Sequence, residues 1–229
     1  MARRAWTRRQ FKAALLWIPL WGLAFPARAL VESEAAAGVR AALERAATAA
    51  VATLGRRDGF AAHPRLRIGL PPPLDAAAPL LRATGQGRRV DELELAINRA
   101  AETAVGGSLD LLRQAVRGMS VEDALGLVRG GDTGITEFFA RKTRAPLTER
   151  FAPLVAQATR RHALTEQYNA LAGRAAAAGL IGERRASLEA HVTAQALDGL
   201  YHTIGEEERR LRRDPAAAGS ALLRRVFGR

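Results

Sequence analysis

Asp198, His202 and Glu206 recur at intervals of four and share one face of a helix. Adjacent pairs have the spacing of metal ligands, but Asp198 and Glu206 lie ~12 Å apart along a helix axis rising ~1.5 Å per residue. One ion cannot bridge that gap, so the face reads as solvated or ion-paired and no metal is expected. Glu206-Glu-Glu208 precedes Arg209, Arg210, Arg212 and Arg213. That order offers Glu206–Arg210 and Glu208–Arg212 pairs at i, i+4, with the bases near the C-terminal end that the helix dipole favours.

Arg129-Gly-Gly-Asp-Thr-Gly134 falls between two helical stretches. The glycines end one helix, and Asp132 is placed to cap the next by accepting its free amide hydrogens. The same amides, with Arg129 and Thr133, offer a place for an anion, which a filled cap would repel. Ser120-Val-Glu-Asp123 has the form of a capping box. As a nucleophile Ser120 has no partner pattern, and Gly-x-Ser-x-Gly does not occur. Absence of cysteine excludes disulfides, thiolate metal sites, cysteine nucleophiles and a lipid-modified cysteine. The residues singled out for ligand contact are Arg129, Asp132, Thr133, Tyr168, Asn169 and Glu206. None is assigned a catalytic role, and no cofactor is expected.

The elements that must position these residues are helices. Val39, Leu43, Ala46, Ala47, Ala50 and Leu54 line one face of a helix over Glu34–Leu54, closed by Gly55. Leu93, Ile97, Ala100 and Ala104 repeat the spacing, as do Val121, Ala124, Leu125 and Val128. Leu147, Phe151, Leu154, Val155 and Ala158 form another stripe, and Leu164, Tyr168, Leu171 and Ala175 the next. The longest helix is expected from near Ser187 to Asp214-Pro215, with Leu188, Val192, Leu200, Ile204 and Leu211 inward. A last short one carries Leu222, Leu223, Val226 and Phe227. With pieces around Asp75–Arg82 and Ser108–Arg117, the total is about eight to ten. Only Arg65–Leu70 and Gly179–Ile181 hint at strands, allowing at most one small two-stranded patch. The expected fold is all-α, one compact multi-helix domain over residues 30–229.

The amino end is organised differently. Arg3, Arg4, Arg8, Arg9 and Lys12 precede thirteen largely apolar residues, Ala13–Phe25, and then Pro26-Ala-Arg-Ala29. A basic head, a short apolar middle and a small-x-small ending make a secretory signal, with Ala27 and Ala29 framing cleavage before Leu30. The apolar run covers roughly 20 Å as a helix, short of the ~30 Å hydrocarbon core, so a membrane span is not expected. Arg8-Arg9-Gln10-Phe11 resembles the twin-arginine export pattern, and Arg28 beside the cleavage site suits that route. The expected location is the periplasm.

Net charge follows from this division. Six of the cations behind the chain's +12 lie in residues 1–29, which hold no acid, leaving about +6 on the mature chain. A modest positive balance favours anionic partners. Nucleic acid is not expected, since no basic stripe with interleaved aromatics is present. All three tryptophans, Trp6, Trp17 and Trp21, also lie in the leader.

Several segments carry a family likeness. They are Gly55-Arg-Arg-Asp-Gly-Phe60 with Pro64–Pro71, Asn98-Arg-Ala-Ala-Glu102, Met119–Ala124 with Arg129–Thr133, Tyr168-Asn169, Val192–Leu200 with Glu206–Glu208, and Ser220–Gly228. In this order and spacing the chain resembles the bacterial family called domain of unknown function 4197. The resemblance implies an exported helical protein and carries no activity. His63 stands where that family usually has Asn before the proline, and His202 where it usually has a large apolar residue.

Three functions remain open on these residues. The first is a non-enzymatic periplasmic module that binds an envelope protein or an anionic envelope component through a helical scaffold. The second is an envelope enzyme, hydrolase-like, using carboxylates such as Asp132 or Glu206 in a helical cleft with Arg129, Tyr168 and Asn169. The third is peripheral attachment to anionic lipid through Arg56, Arg57, Arg65 and Arg67 and the Leu222–Phe227 helix.

Overall fold

Apolar residues at helical spacing become buried helix faces along the chain. In a computed structural model the described residues are 24–128, 134–180 and 187–214. They form α1 (Ala24–Leu54), α2 (Pro72–Leu81), α3 (Gly87–Gly106), α4 (Leu109–Arg117), α5 (Val121–Val128), α6 (Gly134–Arg161), α7 (Leu164–Ala177) and α8 (Leu188–Arg213). Eight helices sit at the low end of the expected count. The Leu222–Phe227 helix lies outside the described residues, as do Arg8, Arg9 and Phe11 of the leader. Helix α1 starts ten residues before the expected Glu34, so its backbone passes through Ala27 and Ala29.

Helix α8 is the centre of the packing. It lies against α1, α3 and α6, while α4 and α5 cover α1 and α6, and α7 docks on α2, α3 and α6. Val192, Leu197, Leu200 and Ile204 of α8 meet Val39, Leu43 and Leu54 of α1 and Phe139 and Phe151 of α6 in one continuous buried cluster. Every apolar position assigned to the Leu93, Leu164 and Ser187 stripes that belongs to the described core is buried. Ser187 caps α8 by accepting the Ala190 amide at 3.2 Å, and Ser120 takes the Asp123 amide at 3.0 Å, as their positions predict.

Helix α6 runs unbroken through Pro146 and Pro153. Proline removes an amide donor and strains the preceding turn. Both prolines are on the exposed side, where the carbonyls they orphan can bond to water. Between α2 and α3 the chain kinks at Thr84 and Gly85, the latter at φ +82°.

No strand occurs among the described residues. The Arg65–Leu70 stretch, which allowed at most a small patch, is a loop lying on α3. Ile68 and Leu70 turn inward, but the backbone finds its partners on a side chain, Asn98, rather than on a second strand. Among the described residues no helix is long and apolar enough to cross a membrane.

Candidate functional site

The polar side chains divide into two groups, one built into the scaffold and one left open. The scaffold group begins on α3. Asn98, fully buried, accepts the Ile68 amide at 2.9 Å and donates to the Ile68 carbonyl at 2.8 Å and the Glu94 carbonyl at 2.7 Å. One turn on, a single oxygen of Glu102 accepts the amides of Phe60 and Ala61, each at 3.1 Å. Its other oxygen takes Arg99 at 2.7 Å, and Arg99 reaches Asp58 at the same distance. The bond to Glu102 is the main reason the Arg99 guanidinium is held above its usual pKa. The Gly55–Phe60 and Asn98–Glu102 segments thus meet, and α3 fastens the whole loop.

Glu208 repeats the device on α8. It is 4 % exposed and accepts the Ile135 amide at 3.2 Å and the Thr136 amide and hydroxyl at 2.8 and 2.6 Å. Arg212 closes the pair at 2.9 Å. A carboxylate with charged and amide partners forms bonds worth ~1.5–3 kcal/mol each. These are the amides an N-cap side chain would take at the start of α6. A carboxylate from α8 takes these amides; Asp132, expected as the cap, lies outside the described residues. Glu208–Arg212 is the ion pair that the i, i+4 rule predicts, but the rule gave no sign that the acid is buried. The signal was present, because Glu208 interrupts the inward stripe of Leu200, Ile204 and Leu211. Asn98 and Glu102 likewise lie among the buried Ile97, Ala101 and Val105.

The open group lies on the other side of the last turns of α8. Glu206 does not pair with Arg210. One of its oxygens is shared by Arg65 at 2.7 Å and His202 at 3.2 Å, and Arg210 turns to Glu207 at 2.7 Å. Asp198 binds Arg144 at 2.7 Å. The Asp198, His202 and Glu206 face is ion-paired. Among the described residues no three His, Asp or Glu side chains are grouped to hold a metal. Beside Glu206 opens a groove of about 520 Å³ lined by Arg65, Glu206, Arg209, Arg210, Arg213 and Asp214. Arg209 and Arg213 form no ion pair with any described residue. Arg209 also borders a second depression with Thr136, Glu137, Tyr201 and His202. There burial pushes the Tyr201 phenol above its usual pKa, and its hydroxyl meets Thr143 at 3.0 Å.

Of the residues singled out by sequence, Glu206 lines this groove and Tyr168 and Asn169 do not. Tyr168 is sunk in the core and Asn169 is exposed, both on α7. Arg129, Asp132 and Thr133 lie outside the described residues. The basic loop is only partly open: Arg65 is paired with Glu206 and Arg67 with Glu94 at 3.0 Å, while Arg56 and Arg57 are exposed. His63 earns its place through its ring nitrogen, which accepts the Arg65 and Leu66 amides at 3.3 and 3.1 Å. An Asn side chain accepts nearby amides in the same way.

No curated protein and no solved structure matches the chain. Residues 29–228 match the family described as a protein of unknown function, DUF4197, and with nearly the whole chain covered the protein belongs to that family.

Proposed function

We propose that the protein is an exported periplasmic binding module without enzymatic activity, which takes an anionic component of the envelope through its arginine-lined groove. One observation carries this reading. The buried acids, Glu102 and Glu208, are engaged by backbone amides and arginines, whereas Arg209 and Arg213 form no ion pair with a described residue where the surface is concave. Both carboxylates are buried and held by amides and guanidiniums, which keeps them away from a substrate that would need a proton.

Export is supported by the leader pattern and by a family match that starts at residue 29, one residue before the expected mature start at Leu30. Cleavage is tested by fluorescence, since Trp6, Trp17 and Trp21 would leave with the leader. Protein recovered from the periplasm should show no tryptophan emission. Turnover of a substrate by that protein, abolished by a point substitution, would sink the non-enzymatic reading. The hydrolase reading draws less support, because Tyr168 is buried away from Glu206, whose carboxylate already bridges Arg65 and His202.

A further inference from the structure

We infer that the groove at the end of α8 is a binding site for a terminal phosphate, carried on a soluble phosphate monoester. The inference rests on the binding-module reading and names its ligand class.

Four guanidinium groups and two carboxylates line the groove. Arg65 and Glu206 neutralise each other at 2.7 Å, and Arg210 is drawn to Glu207 outside the lining. Arg209 and Arg213 remain, one helical turn apart on the same face of α8 and ~6 Å apart along its axis. Like charges at that spacing repel by ~0.2–0.5 kcal/mol. The helix dipole offsets part of this at the last turn, and an anion between the two side chains would offset more. With Arg210 offset by Glu207, the lining groups left over are Arg209, Arg213 and Asp214, a surplus of one positive charge. A phosphate monoester carries about −1.5 to −2 at neutral pH and so attracts Arg209 and Arg213 more strongly than a singly charged carboxylate does. Guanidinium forks match phosphate oxygens two at a time. The groove volume of about 520 Å³ admits a phosphate with an organic group attached, being within the ~300–1,000 Å³ range of small-molecule sites.

Glu206 gives the site a built-in competitor. Its oxygen holds Arg65, 68 % exposed, which lines the same groove as Arg209 and Arg213. His202 stands ready on the same oxygen at 3.2 Å. A phosphate entering between Arg209 and Arg213 meets a third guanidinium already poised at the rim, held back by that carboxylate. Removal of the Glu206 charge should therefore strengthen binding, an outcome that a purely structural ion pair would not produce.

The test is calorimetric titration of the purified protein with glycerol 3-phosphate, inorganic phosphate and acetate at low salt. Glycerol 3-phosphate should bind one to one, at least about tenfold tighter than acetate. The double variant R209Q/R213Q should weaken it by about tenfold or more. E206Q should tighten it about threefold, and R141Q, an arginine over the Phe138 ring outside the groove, should change nothing. Arg209 and Arg213 hold no described partner, so the double variant should melt like the parent. Equal binding of acetate, or binding indifferent to R209Q/R213Q, overturns the inference. Recruitment to phosphatidic acid vesicles without binding of glycerol 3-phosphate also overturns it, in favour of a membrane surface. Release of inorganic phosphate from the monoester, abolished by a point variant, would leave the site standing and remove the non-enzymatic reading. Absence of both binding and turnover would do the reverse.

Discussion

Asn98 holds Ile68 as a neighbouring strand would, accepting its amide at 2.9 Å and donating to its carbonyl at 2.8 Å. A helix side chain thereby does the work of a β-ladder, and the loop crosses α3 with its buried backbone satisfied. Asn98→Ala leaves both Ile68 groups unpaired in an apolar setting. The expected loss is about 2–4 kcal/mol by urea unfolding. A loss below about 0.5 kcal/mol would show that the pairing carries no weight.

Glu208 ties α8 to the start of α6 through the Ile135 and Thr136 amides. Glu208→Ala strips those amides of their acceptor and leaves Arg212 half-buried without this carboxylate. About 2–4 kcal/mol should be lost, with hydrogen exchange rising first at Ile135 and Thr136. Uniform exchange along α6 would contradict a local cap.

Gly199 is where α8 lets Phe60 approach. A Cβ there would stand 2.6 Å from Phe60 Cε1, and the ring is fully buried. Gly199→Ala should destabilise by about 1–3 kcal/mol through overpacking. Phe60→Leu in the same chain should recover part of that, and strictly additive losses in the double-mutant cycle would mean the two sites do not touch. Gly55 serves a similar close approach, its missing Cβ leaving room for Gly106 Cα, which would otherwise lie at 2.7 Å.

Much of the fold was legible because its signal is local. Apolar residues every three or four positions give helices, and Ser120 and Ser187 cap them within three residues. The clamps were not legible, because Asn98 meets Ile68 thirty residues away and Glu208 meets Thr136 seventy-two away. No nearby pattern encodes such a partner. A polar residue in an apolar stripe is the one trace they leave, and Glu208 between Ile204 and Leu211 shows it. The alternation over Arg65–Leu70 is silent on these clamps for the same reason, since it reports which side chains turn inward and not what the backbone bonds to. The groove depends on Arg65 crossing to Glu206 over a separation of 141 residues. Local spacing therefore favoured a Glu206–Arg210 pair that does not form.

His162, at the corner between α6 and α7, meets Thr103 Oγ1 at 3.1 Å. The Thr103 hydroxyl proton goes to the Arg99 carbonyl at 2.8 Å, which makes His162 the donor in its neutral form. Burial first, and then the charges of Arg161 and Arg99, lower its pKa below the ordinary value of 6.5. The unfolded chain thus binds the proton more readily. The contribution of His162 to stability is complete above pH ~6.5 and is lost as pH falls through its folded value. Urea midpoints should drop in that window, and His162→Gln should flatten this part of the profile. An unchanged slope in the variant would assign the loss to other groups.

The most direct test of the proposed role is native mass spectrometry of the protein taken from the periplasm under gentle conditions. The expected species is the chain from Leu30 to Arg229 carrying one phosphate-bearing adduct, which R209Q/R213Q abolishes. The full 24.6 kDa chain with its leader intact, or an adduct that survives R209Q/R213Q, would contradict it.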